Sequence, residues 1–333
     1  MFEEKLEIVL ITYNRSMDLE NTLKQLINSP FSKCKISVLD NNSTDNTTEI
    51  CDKYEKLFHK LDIIKHSRNI GGNANILRAV ETSNSKYTWI MGDDDNYDFS
   101  EISDIIDAIE SDEFDIISIG YPGYSNWKRG IKTTSNKLIN DKVTYFHTMT
   151  FISGFIFKTD TYDSNCITKG YHNISNLFPH FVYIVKSVEE NFSIYVSKNS
   201  MINRGDEKPA AFSGLEWLNG WINSCIMIKD RRIRRNTFYQ VATGSSSFTL
   251  MVLFVIALDK IRENSNFNRN KIELVSAIIK SFGISRELLF LLLFIPSFYV
   301  PAFIYKKVIK TYLTRNYSEE RYEIMKKIER NRL

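Results

Sequence analysis

The chain has 333 residues, 43% hydrophobic and 25% charged, with 43 Lys and Arg against 40 Asp and Glu for a net charge of +3. Its 22 Phe, 17 Tyr and 4 Trp supply ample apolar surface for a core, which excludes intrinsic disorder as the main state. The near balance of charge disfavours a general nucleic-acid binder, and four scattered cysteines (Cys34, Cys51, Cys166, Cys225) without a CxxC pair disfavour a disulfide scaffold or zinc knuckle and fit a reducing compartment.

The length predicts two domains. No basic segment followed by an apolar one opens the chain, so no secretory signal is expected. Glu7 to Thr12 is a short run of Ile, Val and Leu and reads as a buried strand. Ser16 to Ser29 places Leu19, Leu23, Leu26 and Ile27 at helical spacing. Ile36 to Leu39 is a second strand ending in Asp40. Thr44 to Phe58 is a second helix, with Ser43 or Thr44 as its cap. Leu61 to Lys65 is a third strand, and Gly72 to Asn84 a third helix with Ile76, Leu77 and Val80 inward. Tyr87 to Met91 is a fourth strand, ending at Gly92 and three aspartates. Helix Glu101 to Ile109 and strand Phe114 to Ile119 complete the series.

Alternating strands and helices predict an α/β fold, with a mostly parallel, Rossmann-like sheet flanked by helices. Ligands in such sheets bind beyond the carboxyl ends of the strands. The polar clusters Thr12-Tyr13-Asn14, Asp40-Asn41-Asn42 and Asp93-Asp94-Asp95 all sit just after strands.

Tyr121 to Asp141 reads as a long loop, Phe151 to Phe157 as a strand, Ile174 to Val188 as a helix and Phe192 to Val196 as another strand. Asn203 to Gly214 is a loop, and from Leu215 onward the pattern is mostly helical. Charge divides unevenly: residues 1–115 are acid-rich, whereas the last third carries the basic runs Lys229 to Arg235 and Lys306-Lys307. Phe248 to Leu258 has no charge and reads as core. Leu288 to Tyr305 is eighteen residues without a charge, interrupted by Pro296 and Pro301. Prolines break a helix, so this segment is expected to lie in a membrane interface as short pieces rather than to span it.

The aspartates carry the strongest chemical signal. Carboxylates packed this closely repel one another, and hard cations such as Mn2+ and Mg2+ take oxygen ligands, often one or two carboxylates plus substrate phosphates. An acidic turn capping the next helix is the plainer alternative. Asp40 closes its strand where a carboxylate can accept the imide N–H of a uracil, or simply shape a turn. Asn69-Ile70-Gly71-Gly72 precedes a helix, and paired glycines there permit close approach of a phosphate.

Taken in order, Val9 to Arg15, Leu39 to Asp45, Asn69 to Gly72 and Trp89 to Asp95 resemble the GT-A fold glycosyltransferases of family 2. The resemblance covers residues 5 to 120 closely and reaches about residue 215. It implies an inverting transfer from a nucleotide sugar, commonly UDP-linked. It also implies that Thr12, Tyr13 and Asn14 hold the nucleoside and that Asp40 contacts the base. Asn69, Gly71 and Gly72 would then lie at the donor, and Asp93, Asp94 and Asp95 would be the DxD motif holding Mn2+ or Mg2+ on the diphosphate. Asp93 and Asp95 form D-x-D, although Gly92 can instead occupy the first acidic position of the motif; Asp95 is the expected direct ligand.

Two departures stand out. Relatives often place an Arg after the glycines, where this chain has Asn73-Ala74-Asn75. Relatives also keep an acidic pair on the acceptor side, where this chain has Leu177-Phe178-Pro179-His180. His180 is therefore the expected general base, with Asp160 and Asp163 as the alternatives. Arg204 is expected to close over the leaving diphosphate or to grip an acceptor phosphate.

The resulting expectation is a catalytic domain at 1–214 and a C-terminal helical, membrane-associated domain at 215–333. The chain would be cytoplasmic, attached to the inner face of the membrane, acting on a lipid-linked or surface-glycan acceptor, and able to form a homo-oligomer. A nucleotidyltransferase and a non-catalytic nucleotide-sugar-binding scaffold are the rival readings. The first needs a Gly-rich basic loop after the first strand, and Thr12 to Ser16 is not one.

Overall fold

In the computed structural model, residues 1–120, 129–140, 149–203, 214–239 and 295–305 are described, with the single positions 256, 259, 260, 272, 276 and 307. A short opening helix, α1 (Phe2–Lys5), leads into β1 (Leu6–Thr12), whose branched apolar residues are almost wholly buried. Helix α2 (Ser16–Ile27) turns Leu19, Leu23 and Leu26 inward and ends before a 3-10 turn at Pro30–Lys33. The chain continues through β2 (Lys35–Asp40), α3 (Thr47–Glu55), β3 (Lys60–Lys65), α4 (Gly72–Thr82) and β4 (Tyr87–Gly92).

Next come β5 (Asn96–Tyr97), α5 (Ser103–Ser111), β6 (Ile116–Ser118), β7 (Ile131–Thr134) and α6 (Ser135–Asn140). The later elements are β8 (Phe155–Lys158), α7 (Ser164–His172), α8 (Phe181–Glu189), β9 (Ser193–Val196), β10 (Ile202–Asn203), α9 (Gly214–Ile226) and α10 (Arg231–Tyr239).

Eight strands form one sheet in the order β3-β2-β1-β4-β8-β6-β9-β7, and β5 pairs with β10. Strands β1 to β4 run parallel, as their βα alternation requires. Strand β8 runs antiparallel to both β4 and β6, and β7 runs antiparallel to β9. Strand direction leaves no mark in the hydrophobic pattern, so these reversals appear only in the fold.

Several expected elements shift. Helix α3 starts at Thr47 rather than Thr44, with Asn46 as N-cap and no side-chain cap bond; the hydroxyl of Ser43 instead accepts from the backbone N–H of Asn14. The expected loop over 121–141 contains β7 and α6. The helix expected over 174–188 begins only at Phe181, and α7 precedes it, capped by the Asp163 carboxylate accepting from the Cys166 amide.

The core beneath the carboxyl edge is aromatic. Trp89 is fully buried with Phe31 at 5.5 Å and Tyr97 at 5.9 Å between ring centroids, both edge-on. Its indole N–H donates to the carbonyl of Ser153 at 2.9 Å, which satisfies the one polar atom of the ring.

The chain divides into two units, Met1–Pro209 with Met227–Gln240, and Ala210–Ile226 with Val241–Leu333. Within the second, α9 buries Leu215, Leu218, Trp221 and Ile222. Its first amides include Leu215, which donates to Asp259. Pro296 falls in a 3-10 turn, Ile295–Tyr299, and Tyr305 donates back to the Ser297 carbonyl at 2.7 Å. Of the eighteen uncharged residues, 288–294 lie outside the described residues, as does 248–258 apart from the buried Ile256. No helix among the described residues is long and apolar enough to cross a membrane.

Candidate functional site

Register builds the site. Thr12 stands beside Asp40 across β1 and β2, Asp40 beside Lys65 across β2 and β3, and Ile11 beside Gly92 across β1 and β4. The carboxyl ends of four strands therefore bring Thr12, Asp40, Lys65 and Asp93 to one edge of the sheet.

The loops above this edge are cross-tied by asparagines. Asn14 adopts a left-handed φ of 52°, a conformation Asn tolerates. Its side-chain oxygen accepts from the Thr44 amide at 2.8 Å, joining the first loop to the second. Asn41 accepts from the Ile70 amide at 2.9 Å and donates to Asn69 at 3.0 Å. Asn69 also accepts from the Gly71 amide at 2.8 Å, so it shapes the glycine turn from within. Asp40 is 2% exposed; it accepts from the Ser43 amide at 2.8 Å and lies 3.6 Å from the Lys65 ammonium. Tyr13 projects its ring outward, 42% exposed.

Gly71 has φ of 85°, the region glycine enters without cost, and it caps α4. A Cβ built at either Gly71 or Gly72 meets nothing within 4 Å. The protein's own packing therefore does not demand glycine at 72, and the space above the start of α4 is open to a ligand.

The three aspartates have different surroundings. Asp93 is buried; its Oδ2 accepts from Thr12 at 2.6 Å and its Oδ1 from Arg15 at 3.0 Å. Asp94 accepts from the same Arg15 nitrogen at 2.7 Å. Among the described residues Asp95 is met only by neutral hydroxyls, Ser153 at 3.2 Å and Tyr97 at 3.4 Å. Burial pushes Asp93 up to about 6, only partly opposed by Thr12 and Arg15. Burial, with the neighbouring Asp94 charge, also pushes Asp95 up to about 6. A cation at Asp95 would relieve that charge.

The donor set is all oxygen, which suits Mn2+ or Mg2+. Among the described residues no three His, Cys, Asp or Glu side chains converge as a metal cage. The arrangement fits a cation held by one carboxylate and completed by phosphate oxygens.

His180 does not have the surroundings expected of a base. It is 2% exposed, and burial pushes its pKa down to about 4. Its Nε2 lies 3.1 Å from the Thr150 carbonyl, which requires the proton there, and Nδ1 makes no hydrogen bond. Its Nδ1, without a partner among the described residues, is enclosed rather than open to solvent. The two alternatives lie elsewhere in the sheet. Because β8 is antiparallel to β4, Lys158 stands beside Tyr87, and the chain that follows emerges at the opposite edge of the sheet. Asp160 lies there, and Asp163 is engaged as the α7 cap and with Lys186 at 2.7 Å. Arg204 lies outside the described residues.

Sequence reasoning missed Arg15, Ser153 and Tyr97 as partners of the aspartates. Arg15 lay inside a recognised motif, but nothing local ties it to carboxylates 78 and 79 residues away.

The chain is 27% identical over 222 residues to the abequosyltransferase RfbV of Salmonella typhimurium, covering 59% of this chain and 65% of that one. It is 26% identical over 92 residues to the GalNAc(5)-diNAcBac-PP-undecaprenol beta-1,3-glucosyltransferase of Campylobacter jejuni, covering 27% of this chain and 30% of that one. Each match thus spans less than two thirds of the relative's own length. Among solved structures, S. aureus TarS 1-349 superposes with a TM-score of 0.56 at 14% identity, covering 82% of this chain and 88% of that one; this likeness is one of fold. Residues 7–204 match Glycosyl transferase family 2, and the chain belongs to that family.

Proposed function

We propose that this chain is a glycosyltransferase that moves a sugar from a nucleotide sugar, UDP-linked, to a hydroxyl of a lipid-linked or surface-glycan acceptor. The observation that carries this reading is the row of Thr12, Asp40 and Asp93 at the carboxyl edge, with the open glycine turn beside it. Family membership supports it. Relatives add weight: one is named for a PP-undecaprenol acceptor, and TarS has been solved with UDP and with UDP-GlcNAc.

In this reading Thr12, Tyr13 and Asn14 border the nucleoside and Asp40 its base. Gly71 and Gly72 let the diphosphate approach the α4 N-terminus, where backbone N–H groups favour negative charge. Asp95 would hold Mn2+ or Mg2+, which when bound supplies positive charge to the departing diphosphate. Asp93 and Asp94 shape the surrounding loop. The reaction is a single displacement that inverts the anomeric centre. Residues 1–214 form the catalytic part, and 215–333 a helical part that attaches to the cytoplasmic face of the inner membrane. Tyr299, Phe303 and Ile304, at 71%, 70% and 40% exposure, are apolar groups of the kind that enter a headgroup boundary.

The test is a panel of nucleotide sugars offered with Mn2+ and a membrane lipid extract, with products read by mass spectrometry. Release of UDP together with a glycosylated lipid supports the proposal. Release of pyrophosphate, or binding without turnover across the panel, defeats it. Flotation with anionic liposomes tests the attachment separately. Full-length protein that never floats would remove it.

A further inference from the structure

Arg15 stands at the start of α2 and spends one guanidinium nitrogen on two carboxylates, Asp93 at 3.0 Å and Asp94 at 2.7 Å. The same helix grips the aspartate loop a second time, through Thr22 donating to the Asp93 carbonyl at 2.9 Å. Both oxygens of Asp93 are thereby taken, one by Thr12 and one by Arg15. Asp94 shares the same positive charge. Among the described residues Asp95 receives only the hydroxyls of Ser153 and Tyr97, which carry no charge to offset its own.

We propose that Arg15 is a positioning residue that withdraws Asp93 and Asp94 from cation binding. Asp95 alone is then left to meet a divalent cation, and the protein retains one firmly only when a nucleotide diphosphate supplies further oxygens. This rests on the cation-assisted reading of the site given above. The physical reason is competition for lone pairs. Charge-assisted bonds from a guanidinium are strong, and a carboxylate oxygen committed to one is a poor ligand until the bond breaks. A single carboxylate is a weak site for a hard cation that prefers six or more oxygens. The arrangement would keep the site from filling with metal before the donor arrives. Lysine reproduces it only in part, because its ammonium is more strongly hydrated than a guanidinium and pairs less well with a buried carboxylate.

The experiment measures Mn2+ binding to nucleotide-free, full-length protein by the spin-resonance signal of the free ion, alongside thermal melting. Arg15→Gln frees two carboxylates and should bind Mn2+ about tenfold more tightly than the unmodified protein, the scale at which groups around a metal ligand act. Arg15→Lys should fall between the two. Asp94→Asn should leave nucleotide-free Mn2+ affinity within about twofold, since Asp94 is already withdrawn. Affinity in Arg15→Gln equal to or weaker than the unmodified protein, with melting unchanged, overturns the proposal. So does a clear loss of Mn2+ affinity in Asp94→Asn, which would make Asp94 a ligand. Should Arg15→Gln fail to fold, Asp94→Asn and Arg15→Lys decide the matter. UDP binding to the unmodified protein is followed with and without Mn2+. Indifference to Mn2+ there removes the parent reading, whereas Mn2+-dependent UDP binding with unchanged Arg15→Gln affinity removes only the role of Arg15.

Discussion

The hydroxyl of Ser153 donates to Asp95 across 58 residues of sequence, and the same oxygen accepts the amide of Gly92 at 3.0 Å. One side chain in the 3-10 turn Ile152–Gly154, just ahead of β8, thus fixes both ends of the turn that carries the aspartates. Ser153→Ala removes both bonds while leaving the backbone path free. Stability should fall by about 0.5–1.5 kcal/mol, the usual net value of a hydrogen bond. Mn2+-dependent UDP affinity should fall about tenfold because Asp95 loses its orientation. Isothermal titration measures it, and unchanged affinity would show that the bond does not matter to the ligand.

The two glycines separate conformation from clearance. Gly71→Ala forces a side chain onto φ 85° and ψ 154°, a region open essentially to glycine alone, and should cost about 1–3 kcal/mol of stability. Gly72→Ala meets no protein atom and replaces the poorest residue for a helix after proline, so melting should hold or rise. UDP affinity should nonetheless fall several-fold in Gly72→Ala, because the methyl fills the space a phosphate approaches. Unaltered UDP binding in that variant would place the diphosphate elsewhere.

Glu7 is fully buried at the far end of β1, with Lys35 at 2.8 Å, Ser37 at 2.7 Å, Ser83 at 3.1 Å and the Asn84 amide at 3.1 Å. Burial alone would raise its pKa, but the bonds from Lys35, Ser37 and Asn84 outweigh burial and hold it below the ordinary carboxylate value. A depressed folded pKa gives stability that is full above the unfolded pKa and lost as pH falls through the folded one. Urea unfolding should therefore show this contribution starting to decline below about pH 4.5 and gone only below the depressed folded value. Lys35→Met strands a buried charge and should cost about 3–5 kcal/mol at pH 7. In that variant the sign reverses, and acidification toward pH 5 should recover stability. A Lys35→Met protein with the unmodified pH profile would refute the pairing.

His180 is enclosed, and its replacement separates a packing role from that of a base. His180→Ala opens a cavity against Phe178, whose ring lies edge-on at 6.4 Å, and should lower the melting temperature clearly. UDP affinity should stay within about twofold, since the ring is enclosed with its Nε2 on the Thr150 carbonyl. A hundredfold fall in transfer with unchanged melting would return His180 to the role of base.

Much of this architecture can be read locally. The apolar runs at β1, β2 and β4, the helical spacing of Leu19, Leu23 and Leu26, and the polar residues just beyond each strand follow from side-chain periodicity and turn chemistry, which act over a few residues. That was enough to draw Thr12, Asp40 and Asp93 toward one edge, because parallel strands joined by helices must all end on the same side. The tertiary structure decided what periodicity cannot encode. The reversal of β8 brings Ser153 to Asp95 and sends Asp160 to the other edge. The packing of α2 sets Arg15 between Asp93 and Asp94, and the packing of α8 encloses His180. These relationships depend on strand direction, register and burial over separations of tens of residues, and the free energy that selects them belongs to the assembled core rather than to any stretch of chain.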